Sequence, residues 1–351
     1  MVVVIGADVH KATHTFVAVD EVGRKLAETT VRATTTGHHQ VLQWAASRFG
    51  GAEVKWGVED CRNMSALLER DLLSGGAPVV RVPPKLMANT RSSARERGKS
   101  DPIDALAIAR AVLREPELPV ACHDQNTREL RLLTDRRDHL VAERTRQSNR
   151  LRWHLHEIDP EFDVASRALR SKTQRRRIQT WLGQRHGLVA ELALQVLADI
   201  DHTSTQILAV EKRIKPLVRS QYPTLLAIQG CAELTAAKIV GETANISRFR
   251  SSDCYAMNAG AAPLPVWSGS TRGKVRVNRT GNRQLNAALH RIALTQTRHD
   301  GLGRTYYEKK LKDKTKNESL RCLKRRLVRV VFNALHADQA VTTVPQEAIS
   351  A

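Results

Sequence analysis

The first 120 residues of this 351-residue chain read as alternating strands and helices, the next hundred lose the strand signals, and that change limits the fold more than any other feature. Within the first stretch, short runs rich in Val and Ile alternate with segments of helical spacing. Residues 2–7 form an apolar run that ends on Asp8; residues 13–19 alternate and stop at the turn signal Asp20-Glu21-Val22-Gly23; residues 25–32 read as a third strand. Residues 37–49 carry helical spacing through Val41, Trp44, Ala45 and Arg48. Residues 53–58 read as a strand ending at Glu59-Asp60, residues 63–73 as a helix closed by Gly75-Gly76, and residues 78–82 as a strand before Pro83-Pro84. The order β-β-β-α-β-α-β-α predicts an α/β domain, a mixed sheet with helices packed against it. Residues 85–99 are basic and weakly apolar and read as a mobile loop. Ser100-Asp101-Pro102 then opens a helix, with a capping side chain and a proline at the first helical position ahead of an Ala/Ile/Leu run to Leu113.

From about residue 126 to residue 222 the strand signals disappear and the periodicity is helical. Leu130, Leu133, Leu140, Val141, Leu151, Leu155 and Ile158 recur over a charged background, and residues 188–218 repeat the pattern. Two long helices separated by the basic stretch 167–177 predict an antiparallel helical or coiled-coil insert, a spacer or dimerisation arm in preference to a simple bundle. The last folded region starts near Pro223, where residues 225–241 read helix, tight turn, helix, in the manner of a helix-hairpin-helix element. The expected organisation is therefore a catalytic α/β domain over 1–120, a helical insert over 121–222, a mostly α-helical C-terminal domain over 223–336 and a disordered tail over 337–351.

Charge narrows the function. The chain has 56 Lys and Arg against 36 Asp and Glu, a formal net charge of +20. Such a surplus calls for a polyanionic partner, and nucleic acid is the first candidate. Aromatic residues make up only 4%, which disfavours a base-stacking platform and makes the phosphate backbone the expected target. No run reaches the ~18 apolar residues of a membrane span. The N-terminus lacks the basic segment and apolar length of a signal peptide, so a cytoplasmic, nucleoid-associated protein is expected. Five scattered cysteines (Cys61, Cys122, Cys231, Cys254, Cys322), with no C-x-x-C pair, argue against both a disulfide framework and a cysteine zinc site. The basic residues expected to grip nucleic acid are Arg95, Arg97 and Lys99 before the Asp101 helix, and Arg272, Lys274, Arg276, Arg279 and Arg283 within residues 254–299, a block with no acidic residue. Residues 309–329 add a second basic run.

Four carboxylates stand out by position. Asp8 and Glu59 end two strands, while Asp101 and Asp104, three apart at the start of a helix, share one face. Together they make a hard-oxygen site for divalent cations. Two Mg²⁺ ions held ~3.5–4 Å apart could activate the attacking oxygen of a phosphodiester reaction and stabilise the leaving one. Taken singly, Asp8 is also compatible with a solvated strand end and Asp101 with an N-cap. Asp60 competes with Glu59, since alternation puts the two on opposite faces. In the acid-free block, Trp267-Ser268-Gly269-Ser270 offers a serine among arginines, either a nucleophile toward phosphate or one end of a turn.

These residues carry a family resemblance. IGADVHKATHTFVAVDEVG, GVED and KSDPIDALAIARA resemble the DEDD domain of insertion-sequence family 110 transposases, and residues 225–290 resemble the family's second domain. The resemblance implies an RNase H-like, resolvase-like fold for the first domain, with its four acidic positions on Asp8, Glu59, Asp101 and Asp104. It implies a catalytic serine in an A-P-x-x-x-S-S-G pattern. Here Trp267 replaces the first serine, leaving Ser268 in register and Ser270 as a weaker alternative. Gly230-Cys231-Ala232 departs from the family's G-x-G turn. The resemblance further implies a Mg²⁺-dependent recombinase acting on donor and target DNA through a serine-linked intermediate. An element-encoded noncoding guide RNA and a homo-oligomer, dimer or tetramer, with a site composed across protomers, belong to the same expectation.

The competing functions differ in what they need. A junction-resolving nuclease would use the same acids and hydrolyse with water. An actin-like kinase or ATPase would need glycine-rich phosphate loops, yet Gly6 and Gly23 stand alone. A non-catalytic nucleic-acid-binding protein would leave the carboxylates with a purely structural role.

Overall fold

The computed structural model describes residues 1–59, 64–92, 100–115, 118, 120–121, 125–165, 167–278 and 281–343. They form two compact units, residues 1–123 and 124–351. Asp60, Arg95, Arg97, Lys99, Arg279, Cys61 and Cys122 lie outside the described residues.

The first unit is the expected mixed sheet. Its elements run β1 (Val2–Val9), β2 (Thr13–Val19), β3 (Lys25–Arg32), α1 (Thr35–Phe49), β4 (Glu53–Glu59), α2 (Ala66–Ser74), β5 (Val79–Val82), α3 (Pro84–Ser92) and α4 (Asp101–Arg114). The sheet order is β3-β2-β1-β4-β5; β1 to β3 pair antiparallel, and β4 and β5 extend the sheet parallel to β1. The central strand is buried on both sides, so β1 reads as a nearly continuous apolar run. Val3, Ile5, Ala7 and Val9 face one core with Val41, Ala45, Leu68 and Leu72 of α1 and α2. Val4 faces the other core, with Ala105, Ile108 and Val112 of α4. β3 is the polar edge.

Two glycines let α4 lie directly on the sheet. A Cβ at Gly6 would stand 2.1 Å from the Ala105 carbonyl oxygen and 2.5 Å from the Ala109 nitrogen; one at Gly57 would stand 2.6 Å from Val112 Cγ2. Gly6 and Gly57 pair in register across β1 and β4, so the helix crosses both strands where neither has a side chain.

Residues 84–92 are helical, where a loop was expected. Pro84 suits the first helical position, Leu86 and Met87 pack against the α4 core, and the Thr90 hydroxyl donates to the Leu86 carbonyl at 2.9 Å. Two apolar residues are too few to register as periodicity. Ser100 does occupy the N-cap of α4, but its side chain makes no capping bond.

The second unit contains α5 (Gln125–Ile158), α6 (Lys172–Leu182), α7 (Leu188–Gln221), α8 (Pro223–Leu226), α9 (Glu233–Thr243), α10 (Ser252–Asn258), the hairpin β6 (Pro263–Pro265) and β7 (Val275–Val277), α11 (Arg283–Gln296), α12 (Leu302–Leu311) and α13 (Lys316–Thr343). α5 and α7 run antiparallel, tied by Arg137 Nε to Glu211 at 2.6 Å, Arg213 to Glu129 at 3.2 Å and the Thr203 hydroxyl to Gln147 at 3.1 Å. One end of the pair (Leu130, Leu133, Ile214, Val218) enters the core shared with α9, α11 and α13, whereas the other (Leu151, Leu155, Leu197, Ile200) packs on α6. The basic stretch 167–177 is thus no plain linker. A short 3₁₀ turn, Ala168–Arg170, leads into α6, and buried Arg175 bonds Asp201 at 2.5 Å and the Leu169 carbonyl at 2.8 Å.

The terminal helix passes Ala337, where fraying was expected, and continues to Thr343. Asp338, 1% exposed, accepts from the backbone nitrogens of Thr224 at 2.9 Å and Leu225 at 3.0 Å, capping α8 and anchoring this segment. Residues 344–351 lie outside the described residues.

Two predictions follow from the packing of the first unit. Gly6→Ala should lower stability by about 1–3 kcal/mol through overpacking, read as a lower Tm, because the obstructing atoms are backbone. His14 stacks on His38 at 5.2 Å, and His38 Nδ1 meets Asp71 at 2.7 Å; burial, with His38 and more weakly His10, pushes His14 down to about 4. The unfolded chain therefore binds the additional proton between the ordinary value of 6.5 and about 4. Stability should fall as pH drops through that window, and the His14→Gln variant should show a shallower fall in denaturant titrations across it.

Candidate active site

The carboxylates meet where the C-terminal end of β1 passes the N-terminal end of α4. Gly6 and Asp8 project from the same face of β1, the one covered by α4. On β4, Gly57 and Glu59 share the matching face, one strand across in parallel register. Close packing of α4 at the two glycines brings its first turn to the strand ends.

Asp8 is 6% exposed. Burial raises its pKa, His10 opposes the rise, and Asp104 and Asp101 reinforce it. His10 Nε2 stands 3.1 Å from Asp8 Oδ2 and 3.3 Å from Asp101 Oδ1, bridging the two carboxylates. Asp101 is the first residue of α4 and half exposed; it is not the N-cap, which is Ser100. Asp104 is buried and accepts from Arg91 Nη1 at 2.7 Å. Asp104, and more weakly Glu59, raise the pKa of Arg91, so this arginine lies within electrostatic reach of both. Asp8, Glu59, Asp101 and Asp104 therefore gather at one end of the sheet, with His10 and Arg91 as partial counter-charges.

His10 and Arg91 were missed in the sequence. His10 had a usable signal, since a residue two after Asp8 on a strand shares its face. Arg91 had none, because its segment read as a loop.

The donor set fits a divalent cation. Ligand atoms of Asp8, His10 and Asp101 all lie within 4.8 Å of one another; of the four expected carboxylates, Asp104 and Glu59 stand at the same end of the sheet but outside that set. A buried carboxylate whose pKa is raised partly by two other carboxylates is an incompletely neutralised negative site.

Ser268 belongs to the second unit. It is exposed in the β6–β7 connection, immediately before the 3₁₀ turn Gly269–Thr271. Its backbone nitrogen donates to Thr271 Oγ1 at 3.0 Å, and that hydroxyl donates to the Ser268 carbonyl at 3.0 Å. Ser270 lies in the same turn and Trp267 is 47% exposed. Arg272, Lys274 and Arg276 are exposed along this hairpin, and Arg283 is exposed at the start of α11. In the Gly230-Cys231-Ala232 turn, Cys231 is buried, and burial pushes its thiol up to about 12.

Two family profiles match the chain. One, described as "Transposase", covers residues 5–160; the other, described as "Transposase IS116/IS110/IS902 family", covers residues 222–308. The 44.8 kDa protein of insertion element IS116 from Streptomyces clavuligerus is 28% identical over 97% of this chain and 96% of its own length. The 42 kDa protein of insertion element IS900 from Mycobacterium paratuberculosis is 26% identical over 96% of each. A Thermus thermophilus RuvC structure in complex with a Holliday junction substrate matches 34% of this chain and 100% of its own, at 16% identity and a TM-score of 0.27. A mixed sheet with carboxylates at its strand ends, in a chain matched by transposase profiles in both halves, defines a DNA-processing enzyme of the transposase class. The chain belongs to the IS116/IS110/IS902 family of insertion-sequence transposases.

A raised Asp8 pKa means that ionising this carboxyl costs the folded state stability once the pH exceeds the ordinary value of 3.8, and the cost persists at neutral pH. Adding Mg²⁺ or Mn²⁺ should therefore raise the Tm of the wild-type protein at pH 7. Asp8→Asn should melt higher than wild type without the cation and lose the cation-dependent rise.

Proposed function

We propose that this transposase cuts and rejoins DNA strands through a covalent link to Ser268, with divalent cations, Mg²⁺ in the cell, held by Asp8, Glu59, Asp101 and Asp104. The observation that carries the reading is the convergence of these carboxylates at the strand ends of an RNase H-like sheet. A bound divalent cation supplies charge neutralisation at the scissile phosphate.

The protein's own groups have separable roles. Asp8 and Asp104, both buried, provide a fixed negative floor. Asp101 and Glu59, more exposed, close its rim. His10 holds Asp8 and Asp101 in register through its ring nitrogen. Arg91 orients Asp104. Ser268 Oγ forms a bond to phosphorus while the bond from phosphorus to one deoxyribose oxygen breaks. The serine proton passes to solvent and the released oxygen takes one up. Attack by a hydroxyl of the incoming strand reverses the step and frees the serine. Ser268 lies in the second compact unit and the carboxylates in the first; a homo-oligomer, dimer or tetramer, is part of the same proposal. An element-encoded noncoding guide RNA would choose the DNA by base pairing, leaving the protein backbone-directed contacts; the basic, aromatic-poor composition supports that division. No helix among the described residues is long and apolar enough to cross a membrane.

A hydrolytic reading, in which water replaces the serine, is favoured by one observation: Ser268 sits as the leading residue of a hydrogen-bonded turn. A denaturing gel with labelled DNA, Mg²⁺ and cognate RNA separates the two. Wild type should give a protein–DNA adduct that is absent from Ser268→Ala. Asp101→Asn should lose at least 100-fold in strand cleavage while remaining folded. Cleavage with no adduct would establish the hydrolytic reading.

A further inference from the structure

A large concavity lies in the second unit. It is a groove of about 1330 Å³ between the base of the β6–β7 hairpin, α11, α12 and α13. Nine lysines and arginines line it against two carboxylates, Asp253 and Glu318. The two acids offset only part of that charge. Asp253 pairs with Arg325, itself one of the nine, and Glu318, which caps α13 by accepting from the Thr315 nitrogen at 3.0 Å and hydroxyl at 2.7 Å, feels Lys314 and Arg321.

The lining is built. Along α13, Leu323, Leu327, Val328 and Val331 enter the core, while Arg321, Arg325 and Arg329 line the groove. Their spacing of four residues sets them about 6 Å apart along the axis, close to the separation of successive phosphates in a strand. Lys324 lies half-buried in the lining. Its Nζ donates to Asn286 Oδ1 at 2.6 Å, and the Asn286 amide is fixed by the carbonyls of Ala259 at 2.7 Å and Gly260 at 3.1 Å. Burial, with Arg321, lowers the pKa of Lys324, and no carboxylate pairs with it among the described residues. On the far wall, Tyr306 lies under Arg326 at 4.9 Å and Lys310 at 5.7 Å, so its ring is already covered by cations.

An ordinary solvated basic face is convex and hydrated, whereas here cations from four elements converge on one concavity with a half-buried lysine inside. That arrangement is self-repelling until a polyanion enters. With Tyr306 engaged, the groove offers charge without a base-stacking surface. We infer that this groove is a binding site for the phosphodiester backbone of a nucleic-acid strand, with Lys324, Arg321 and Arg329 as its central contacts. The inference rests on the reading that this protein acts on nucleic acid, and it adds where the backbone is held. One wall is the base of the hairpin whose connection carries Ser268, so a strand in the groove lies beside the segment that bears the serine.

The test is fluorescence anisotropy of the full chain in EDTA, using labelled random-sequence single-stranded and duplex DNA and the matching RNAs across a salt series. Arg321→Gln/Arg329→Gln removes two exposed charges from the groove. Lys25→Gln/Arg48→Gln removes two exposed charges from the first unit and serves as the control. Lys324→Gln tests the half-buried cation, and thermal melts check the folding of each variant. The expected result is a loss of affinity of about tenfold or more for the groove pair, a salt slope shallower by about two, and a change under twofold for the control. Equal loss on all probes assigns the shared backbone, and loss confined to the RNA or the DNA probes assigns that source. Equal behaviour of groove and control variants, or no binding by wild type, overturns the inference. Because no cation is present, binding is read independently of cleavage. A failure of the catalytic reading would therefore leave this result standing.

Discussion

The acidic centre depends on the absence of two side chains. α4 lies against β1 and β4 at backbone distance because Gly6 and Gly57 leave nothing between helix and sheet. The same contact fixes the height of the helix along the strands, which brings Asp101 and Asp104 to the level of Asp8 and Glu59. Apolar burial of Ala105, Ile108 and Val112 holds the helix down. The carboxylates by themselves would push the elements apart. His10 between two of them and Arg91 against a third soften that repulsion, and the apolar contact behind it prevails. A negative centre is thus mounted on a rigid apolar joint.

The second unit handles charge with the opposite sign. Its apolar residues are spent in two separate cores, one at each end of the α5–α7 pair, so the long helices are fixed at both ends. Cations left over from that packing are distributed unevenly. Arg175, Arg137 and Lys238 are satisfied by carboxylates of neighbouring helices, whereas those of α11, α12 and α13 converge on a groove with little to balance them. The formal surplus of +20 therefore includes a local concentration that folding leaves uncompensated.

The sheet was legible in the sequence because β1 and β2 are short apolar runs bounded by turns, and the long helices because Leu130, Leu133, Leu151 and Leu155 repeat at helical spacing. α3 was not legible, since Leu86 and Met87 alone carry its apolar face amid basic residues. The end of α13 was equally hidden. Asp338 reads as a polar tail residue until Thr224 and Leu225, more than 100 positions earlier, present their backbone nitrogens to it.

By itself the sequence determined the element order, the identity of the four candidate carboxylates and the sign of the partner's charge, because these follow from periodicity, residue type and composition. Tertiary structure alone decided that His10 and Arg91 stand among those carboxylates, and that cations from four separate elements face one groove. The physical reason is the same in each case. Coulomb and hydrogen-bond interactions depend on distance in space, and the contacts that set those distances join residues far apart in the chain.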